Sequence, residues 1–296
     1  MAHAMRCACV DIGTNTTRLL VAEPDGEGGL RELARMRHFL RLRPRPGGAL
    51  EPETIAQVAD AVAAQARIAR GHGACRVRVV ATAAIRAASN GDALCAAVRA
   101  ASGSEVVVLT GEQEARLAFA GATRMLPADP PGLVGVVDVG GGSSELVAGT
   151  VTGGVTWWAS FPLGSGVLAE RHLRSDPPTP DELDAVRAEV AVALSALDPP
   201  RPDVAFAVGG GATSLGRVVG PELSATALAG ALEILVALPR AAAARRFGVH
   251  VERMRLLPAG LVLLSAAAEA FGTSLRIGRG GLREGVVLAE LARVAE

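Results

Sequence analysis

The sequence predicts an α/β fold built from two duplicated domains that face each other across a cleft. Three observations lead there. Two segments can be laid over one another without a gap, Val10 to Ala22 and Val137 to Gly149, matching Asp11 with Asp138 and Gly13 with Gly140. Each reads as an apolar strand ending in Asp, a tight turn of Gly and hydroxyl residues, and a second apolar strand leaving the turn. Around these hairpins, strand-like and helix-like periods alternate, and 296 residues suffice for two cores. Boundaries are expected at 1-126 and 127-281.

The elements follow in order. Pro52 to Gly71 repeats apolar residues at helical spacing, with Pro near its start and Gly at its end. Arg76 to Ala81 reads as a strand, Gly91 to Ala101 as a helix, Glu105 to Leu109 as a strand and Glu112 to Arg124 as a helix. Pro127 to Gly132 is the natural linker. After the second hairpin come a strand through Phe161, a helix Asp181 to Ala196, a buried strand Val204 to Val208 and a mostly helical stretch from Ser224 to Phe271. Arg31 to Pro46, rich in Arg, is expected as a solvated loop, with a basic rail through Arg41, Arg43 and Arg45 as the functional alternative.

Charge is balanced, 30 Arg and no Lys against 30 Asp and Glu, which excludes indiscriminate nucleic-acid wrapping. Any anion must be met locally. Cys7, Cys9, Cys75 and Cys95 contain no C-x-x-C and read as structural thiols, the first two on opposite strand faces. The five His residues lack metal-ligand spacing. The run Cys7 to Val10 is too short for a secretory signal and Leu256 to Ala268 too short for a membrane span, so a cytoplasmic protein without membrane or nucleic-acid partners is expected. Trp157 and Trp158 should face opposite ways, one into the core and one toward a partner surface.

Three Gly-rich turns carry the chemistry: Gly13, Thr14, Asn15 and Thr16; Gly140, Gly141, Gly142 and Ser143; and Gly210 with Gly211 ahead of a helix. Small residues let backbone N–H groups converge on an anion, and hydroxyls add donors. No Walker pattern fits a chain without Lys, and Ser214 breaks the dinucleotide pattern. Arg must supply the cationic contacts. Arg18 and Glu145 hold equivalent repeat positions, a guanidinium fork in one hairpin and a carboxylate in its twin.

Val10-Asp-Ile-Gly-Thr-Asn-Thr-Thr-Arg18, Ala81-Thr-Ala-Ala-Ile-Arg86, Thr110-Gly-Glu-Gln-Glu-Ala-Arg116, Asp138-Val-Gly-Gly-Gly-Ser-Ser-Glu145, Val208-Gly-Gly-Gly-Ala-Thr213 and Gly281-Leu-Arg-Glu-Gly285 together resemble the exopolyphosphatase and guanosine pentaphosphate phosphohydrolase family, in its short two-domain form. The resemblance implies duplicated actin-like domains of the ribonuclease H-like, sugar kinase, Hsp70 and actin superfamily, with helix 282-296 joined to the first. It also implies a homodimer. The expected reaction is release of terminal phosphate from inorganic polyphosphate with Mg²⁺ and an attacking water. Matching motif to motif, Glu114 falls on the catalytic glutamate and is read as general base, while Glu145 orients the water or holds metal. Asp11 and Asp138 are the further metal acids, and Arg18 and Arg86 hold phosphate oxygens. Glu112 is read as a helix-dipole residue. Arg255 departs from an acid common in relatives. Guanosine pentaphosphate is the alternative substrate; an actin-like ATP-dependent kinase and a non-catalytic polyphosphate or alarmone sensor are the alternatives of other classes.

Overall fold

The computed structural model describes residues 5–42 and 48–295. It divides into two compact units, one formed by Met1–Met125 with Gly280–Glu296 and the other by Leu126–Arg279. Each is an α/β unit with one mixed sheet.

The first unit starts with β1 (Cys7–Ile12), β2 (Thr16–Pro24) and β3 (Leu30–Phe39), an antiparallel meander. Helix α1 (Pro52–Gly71) leads to β4 (Arg76–Ala81), which joins β1 in parallel. Helices α2 (Ala83–Ala87) and α3 (Gly91–Ser102) precede β5 (Val106–Val108), parallel to β4, and α4 (Gly111–Arg124) follows it. The sheet order is β3-β2-β1-β4-β5. Strand β1 is central and covered on both faces, which explains its unbroken apolar run. Ala8, Val10 and Ile12 pack with Val58 and Val62 of α1, whereas Cys7 and Cys9 pack with Val286 and Val287 of the C-terminal helix. Cys7 and Cys9 therefore share a face, contrary to the sequence expectation, because residues two apart on a strand point the same way.

The second unit repeats this plan. Strands β6 (Val134–Val139), β7 (Ser144–Thr150) and β8 (Gly154–Phe161) form the meander, followed by α5 (Ser165–His172) and α6 (Pro180–Leu194). Strand β9 (Val204–Val208) pairs in parallel with β6, and α7 (Gly209–Val219) leaves it. Then come β10 (Glu222–Leu223), α8 (Ala225–Val236), α9 (Arg240–Phe247), α10 (Val251–Met254), α11 (Leu257–Phe271) and β11 (Leu275–Ile277). The sheet order is β10-β11-β9-β6-β7-β8. Helix α12 (Leu282–Ala295) packs back against α4 and β1 of the first unit.

The repeat extends to hydrogen-bond register. Asp11 stands opposite Arg18, and Asp138 opposite Glu145, on the same rung of the two hairpins. The bulge between Val21 and Ala22 recurs between Ala148 and Gly149, the matching positions.

One sequence expectation is overturned. Arg31 to Phe39 is no loop but most of edge strand β3. Its alternation is masked because the exposed positions on both faces are charged or long: Arg31, Glu32, Arg35, Arg37 and His38 all face solvent. Arg43 and Arg45 of the proposed rail lie outside the described residues. Trp157 packs edge-on against Phe271 at 6.5 Å between centroids, while Trp158 is exposed. Among the described residues no helix is long and apolar enough to cross a membrane.

Candidate active site

In both units the named residues collect at one edge, where parallel strands end and their connections begin. In open α/β sheets this carboxyl edge is where ligands bind. In the first unit Asp11 is the last residue but one of β1, β4 runs into Thr82 and Arg86, and β5 runs into the helix that carries Glu114.

The first turn is closed by Gly13 N–H donating to Thr16 O at 3.0 Å. Leu40 and Leu42, just beyond β3, donate backbone N–H to the carbonyls of Asn15 and Thr14, at 3.0 and 2.9 Å. These bonds use up turn acceptors and leave side-chain groups without partners. Among the described residues Asp11 Oδ1, Asn15 Nδ2 and Thr17 Oγ1 are buried and have no hydrogen-bond partner. Thr17, level with Ile12, lies on the α1 side of the sheet, whereas Asp11, level with Arg18, lies on the other; buried polar groups are otherwise nearly always satisfied, so the unmet Asp11 Oδ1 beside the turn marks a place for a ligand or ion. Arg18 Nε donates to Thr16 Oγ1 at 3.1 Å, which ties the guanidinium to the turn. Burial pushes the Asp11 carboxyl above its ordinary range; Arg18 and Arg283 oppose this and Glu284 adds to it. Its charge is thus undercompensated.

Glu114 is held by local chemistry that the sequence encodes. Thr110 caps α4, accepting from Gln113 N–H while the Gln113 side chain accepts from Thr110 N–H, a capping box. This fixes the first turn, with Glu112 outside and bonded to Arg116 at 2.9 Å, as its dipole reading requires. Glu114 turns inward and is only 5% exposed. Arg86 Nη1 reaches Glu114 Oε1 at 2.5 Å and donates also to Leu109 O. The structure therefore brings together two residues that the sequence reading treated separately, a base candidate and a phosphate ligand. Because Nη1 makes both bonds, Nε and Nη2 of the fork remain for a further anion.

In the second unit Gly140 N–H donates to Ser143 O at 2.9 Å, the same closure as in the first. Here the flanking chain is the start of α5. Ser165 donates N–H and Oγ–H to Gly140 O, and Gly166 and Val167 donate N–H to Gly141 O. That approach requires Gly164, whose Cβ would lie 2.4 Å from the Gly141 carbonyl carbon. Ser143 and Glu145 are almost fully buried, and Ser160 Oγ donates to Glu145 Oε1 at 2.9 Å. Asp138 lies against Gly209, where a Cβ would come within 2.6 Å of Oδ1, and the positive φ of 83° there also favours glycine. Gly210 and Gly211 are not a free turn; they form the first turn of α7, whose N–H groups have no intrahelical acceptor. Thr213 and Ser214 bond back to the carbonyls of Gly209 and Gly210.

Arg253 was not singled out by the sequence reading. It is 7% exposed and lines a small pocket with Ser165 and Gly211, beside the starts of α5 and α7. The available signal was an Arg inside the apolar run around α10 and α11. Arg255 lines a different pocket with Asp176 and Arg240. Of the basic β3 segment, Arg31 pairs with Glu23, and Arg35 with Glu32 and Glu284, so part of its charge is neutralised.

Among the described residues no group of three or more His, Cys, Asp or Glu is gathered as a metal cluster. The donor set suits Mg²⁺ all the same, since this ion is commonly held by one or two carboxylates plus substrate phosphates and waters. The unpartnered Asp11 Oδ1 is the observation that fits it.

Fold and site together define a class: an α/β protein with two mixed sheets, the same hairpin in each, and acids and arginines at their carboxyl edges. The chain belongs to the Ppx/GppA phosphatase family, which it matches over residues 20–294. It is 31% identical to exopolyphosphatase 1 of Mycobacterium tuberculosis, covering 99% of this chain and 90% of that one. It is 32% identical to an uncharacterized protein of Streptomyces coelicolor, over 97% and 90% of the two chains. The crystal structure of the Aquifex aeolicus family member superposes with a TM-score of 0.82 at 28% identity, over 99% of each chain.

Proposed function

We propose that this protein is an exopolyphosphatase that hydrolyses the terminal phosphate of inorganic polyphosphate. The observation that carries the reading is Glu114, a buried carboxylate at the start of α4 pinned by Arg86 at the carboxyl edge of the parallel strands of a mixed sheet. Glu114 accepts a proton from water as the water oxygen bonds the terminal phosphorus. The bridging P–O bond breaks, and a chain one phosphate shorter leaves with inorganic phosphate. Arg86 fixes the carboxylate and offers its remaining fork to phosphate oxygens, which it matches in geometry. Arg18, the Asn15 amide and the backbone of Gly13, Thr14 and Thr16 form one phosphate cradle; Gly140, Gly141, Gly142 and Ser143, with Gly210 and Gly211, supply others. Glu145, oriented by Ser160, helps to position the water. Asp11, Asp138 and Glu145 are the acids assigned to Mg²⁺, which when bound would neutralise phosphate charge.

The test is a phosphate-release assay with Mg²⁺ on short polyphosphate, long polyphosphate, guanosine pentaphosphate and ATP, with Glu114→Gln alongside. Release from polyphosphate that the variant loses is the expected result. Release from guanosine pentaphosphate alone moves the reading to the alarmone, and equal release by the variant removes Glu114 from the mechanism.

A further inference from the structure

Asp11, Arg18 and Arg37 stand on one rung across β1, β2 and β3. Residues directly opposite on antiparallel strands share a face with their Cβ atoms about 5 Å apart, so the two arginines are immediate neighbours. Both guanidiniums reach toward the next pair on that face. Arg18 Nε donates to Thr16 Oγ1 at 3.1 Å, the Arg37 guanidinium lies 5.7 Å from the centroid of the Phe39 ring, and Thr16 and Phe39 are opposite each other beside the Gly13–Thr16 turn. Two cations thus lean toward the carboxyl edge, where like charges set side by side repel and Asp11 is the one acid on their rung. The second unit shows a use for the third-strand position. Its rung is Asp138, Glu145 and Ser160, and Ser160 Oγ donates to Glu145 Oε1 at 2.9 Å. Because the hairpins repeat in register, Arg37 holds in the first unit the place from which Ser160 reaches its neighbour in the second.

We propose that Arg37 is a second phosphate-binding arginine: one phosphoryl group sits in the cradle of Arg18 and the turn, and the group linked to it sits on Arg37. The assignment rests on the reading above that Arg18 receives phosphate. Arg37 lies one strand further out, about 4.8 Å, a step that a linked phosphate makes and a lone orthophosphate held in the turn does not. A guanidinium that stacks on a ring through its face still donates through its rim, and its fork matches phosphate oxygens. A chain of linked phosphates meets both arginines at once and relieves the repulsion on their rung. After each cleavage the outer contact keeps the shortened chain on the protein while orthophosphate departs.

The experiment is titration calorimetry on the full chain, without divalent ions so that turnover does not intrude, using inorganic tripolyphosphate, guanosine pentaphosphate and orthophosphate. Arg37→Gln, a change at an exposed position of an edge strand, is compared with Arg99→Gln, which removes the same charge from an exposed pair with Glu105 in the last turn of α3. Arg37→Gln should weaken tripolyphosphate by about tenfold, the worth of one charge-assisted hydrogen bond, and leave orthophosphate unchanged. Arg99→Gln should weaken neither. A parallel loss on guanosine pentaphosphate supports recognition of linked phosphates from either source, and a loss on tripolyphosphate alone supports recognition of the inorganic chain. Equal weakening by the two variants, equal weakening of orthophosphate, an unchanged affinity for tripolyphosphate, or no binding of it by the wild type would each overturn the assignment. In the phosphate-release assay Arg37→Gln should raise KM for polyphosphate by about tenfold at constant kcat. Arg37-dependent binding without release by the wild type would remove the hydrolase reading and leave the assignment standing; release with a KM that the variant does not move would do the reverse.

Discussion

Helices α4 and α12 meet backbone to backbone, and this contact sets the position of the helix that carries Glu114. A Cβ built on Gly121 would lie 2.0 Å from Gly281 O and 2.5 Å from Gly285 N; one on Gly285 would lie 2.0 Å from Leu117 O. Favourable non-bonded separation is about 3.5 Å, so Gly121→Ala must part the helices by about 1.5 Å, beyond the gap at which half the contact energy is lost. Overpacking of this kind costs about 3 kcal/mol. Alanine returns about 1 kcal/mol through helix propensity. The net loss of about 2 kcal/mol should lower the melting temperature by about 4–8 °C in a domain of this size. Gly230, within α8, has nothing within 4 Å of a built Cβ, so Gly230→Ala should raise it by about 2 °C. Thermal unfolding by circular dichroism on both variants decides the matter. The same substitution should give opposite signs, and a rise for Gly121→Ala comparable to that for Gly230→Ala would refute the reasoning.

Other consequences are as direct. Arg86→Gln should lower kcat/KM for polyphosphate by about 10²-fold, since a base misplaced by an ångström costs that much; an unchanged rate with far-ultraviolet dichroism intact would detach Arg86 from the site. Asp11 has a raised carboxyl pKa in the folded state, so the fold binds that proton more tightly and stability falls as pH rises from the unfolded carboxylate value, about 3.9, through the folded one. Asp11→Asn should therefore gain stability over wild type across that window while phosphate release drops, and a stability difference flat with pH would contradict this. Gln65 on α1 is 1% exposed, with Oε1 and Nε2 both unpartnered among the described residues. Gln65→Met should stabilise by about 1–2 kcal/mol in urea denaturation, and a loss would reveal a hidden partner. Chelation of divalent cations should abolish phosphate release and re-addition of Mg²⁺ restore it; activity that survives the chelator removes the ion from the reaction.

What was legible in the sequence was local. The two hairpins could be read, down to a shared register, because turn chemistry and period-two alternation act over a dozen residues. Helix α1 and strands β4 and β9 were placed at their observed limits, and α4 at its observed end and one residue inside its observed start. The inward turn of Glu114 agrees with this, because helix geometry separates it from Glu112 by just over half a turn. Strand β3 was misread, since its pattern is set by pairing with β2 and a cover of charged side chains rather than by apolar alternation. Tertiary structure alone decided that Arg86 meets Glu114 and that Gly121 faces Gly281 and Gly285. Each joins residues distant in the chain, and no local propensity encodes which partner a strand or helix will find. The sequence by itself determined the repeated hairpins and the chemistry stored in their turns; packing determined which charges and surfaces they meet, because those contacts exist only once the sheets have formed.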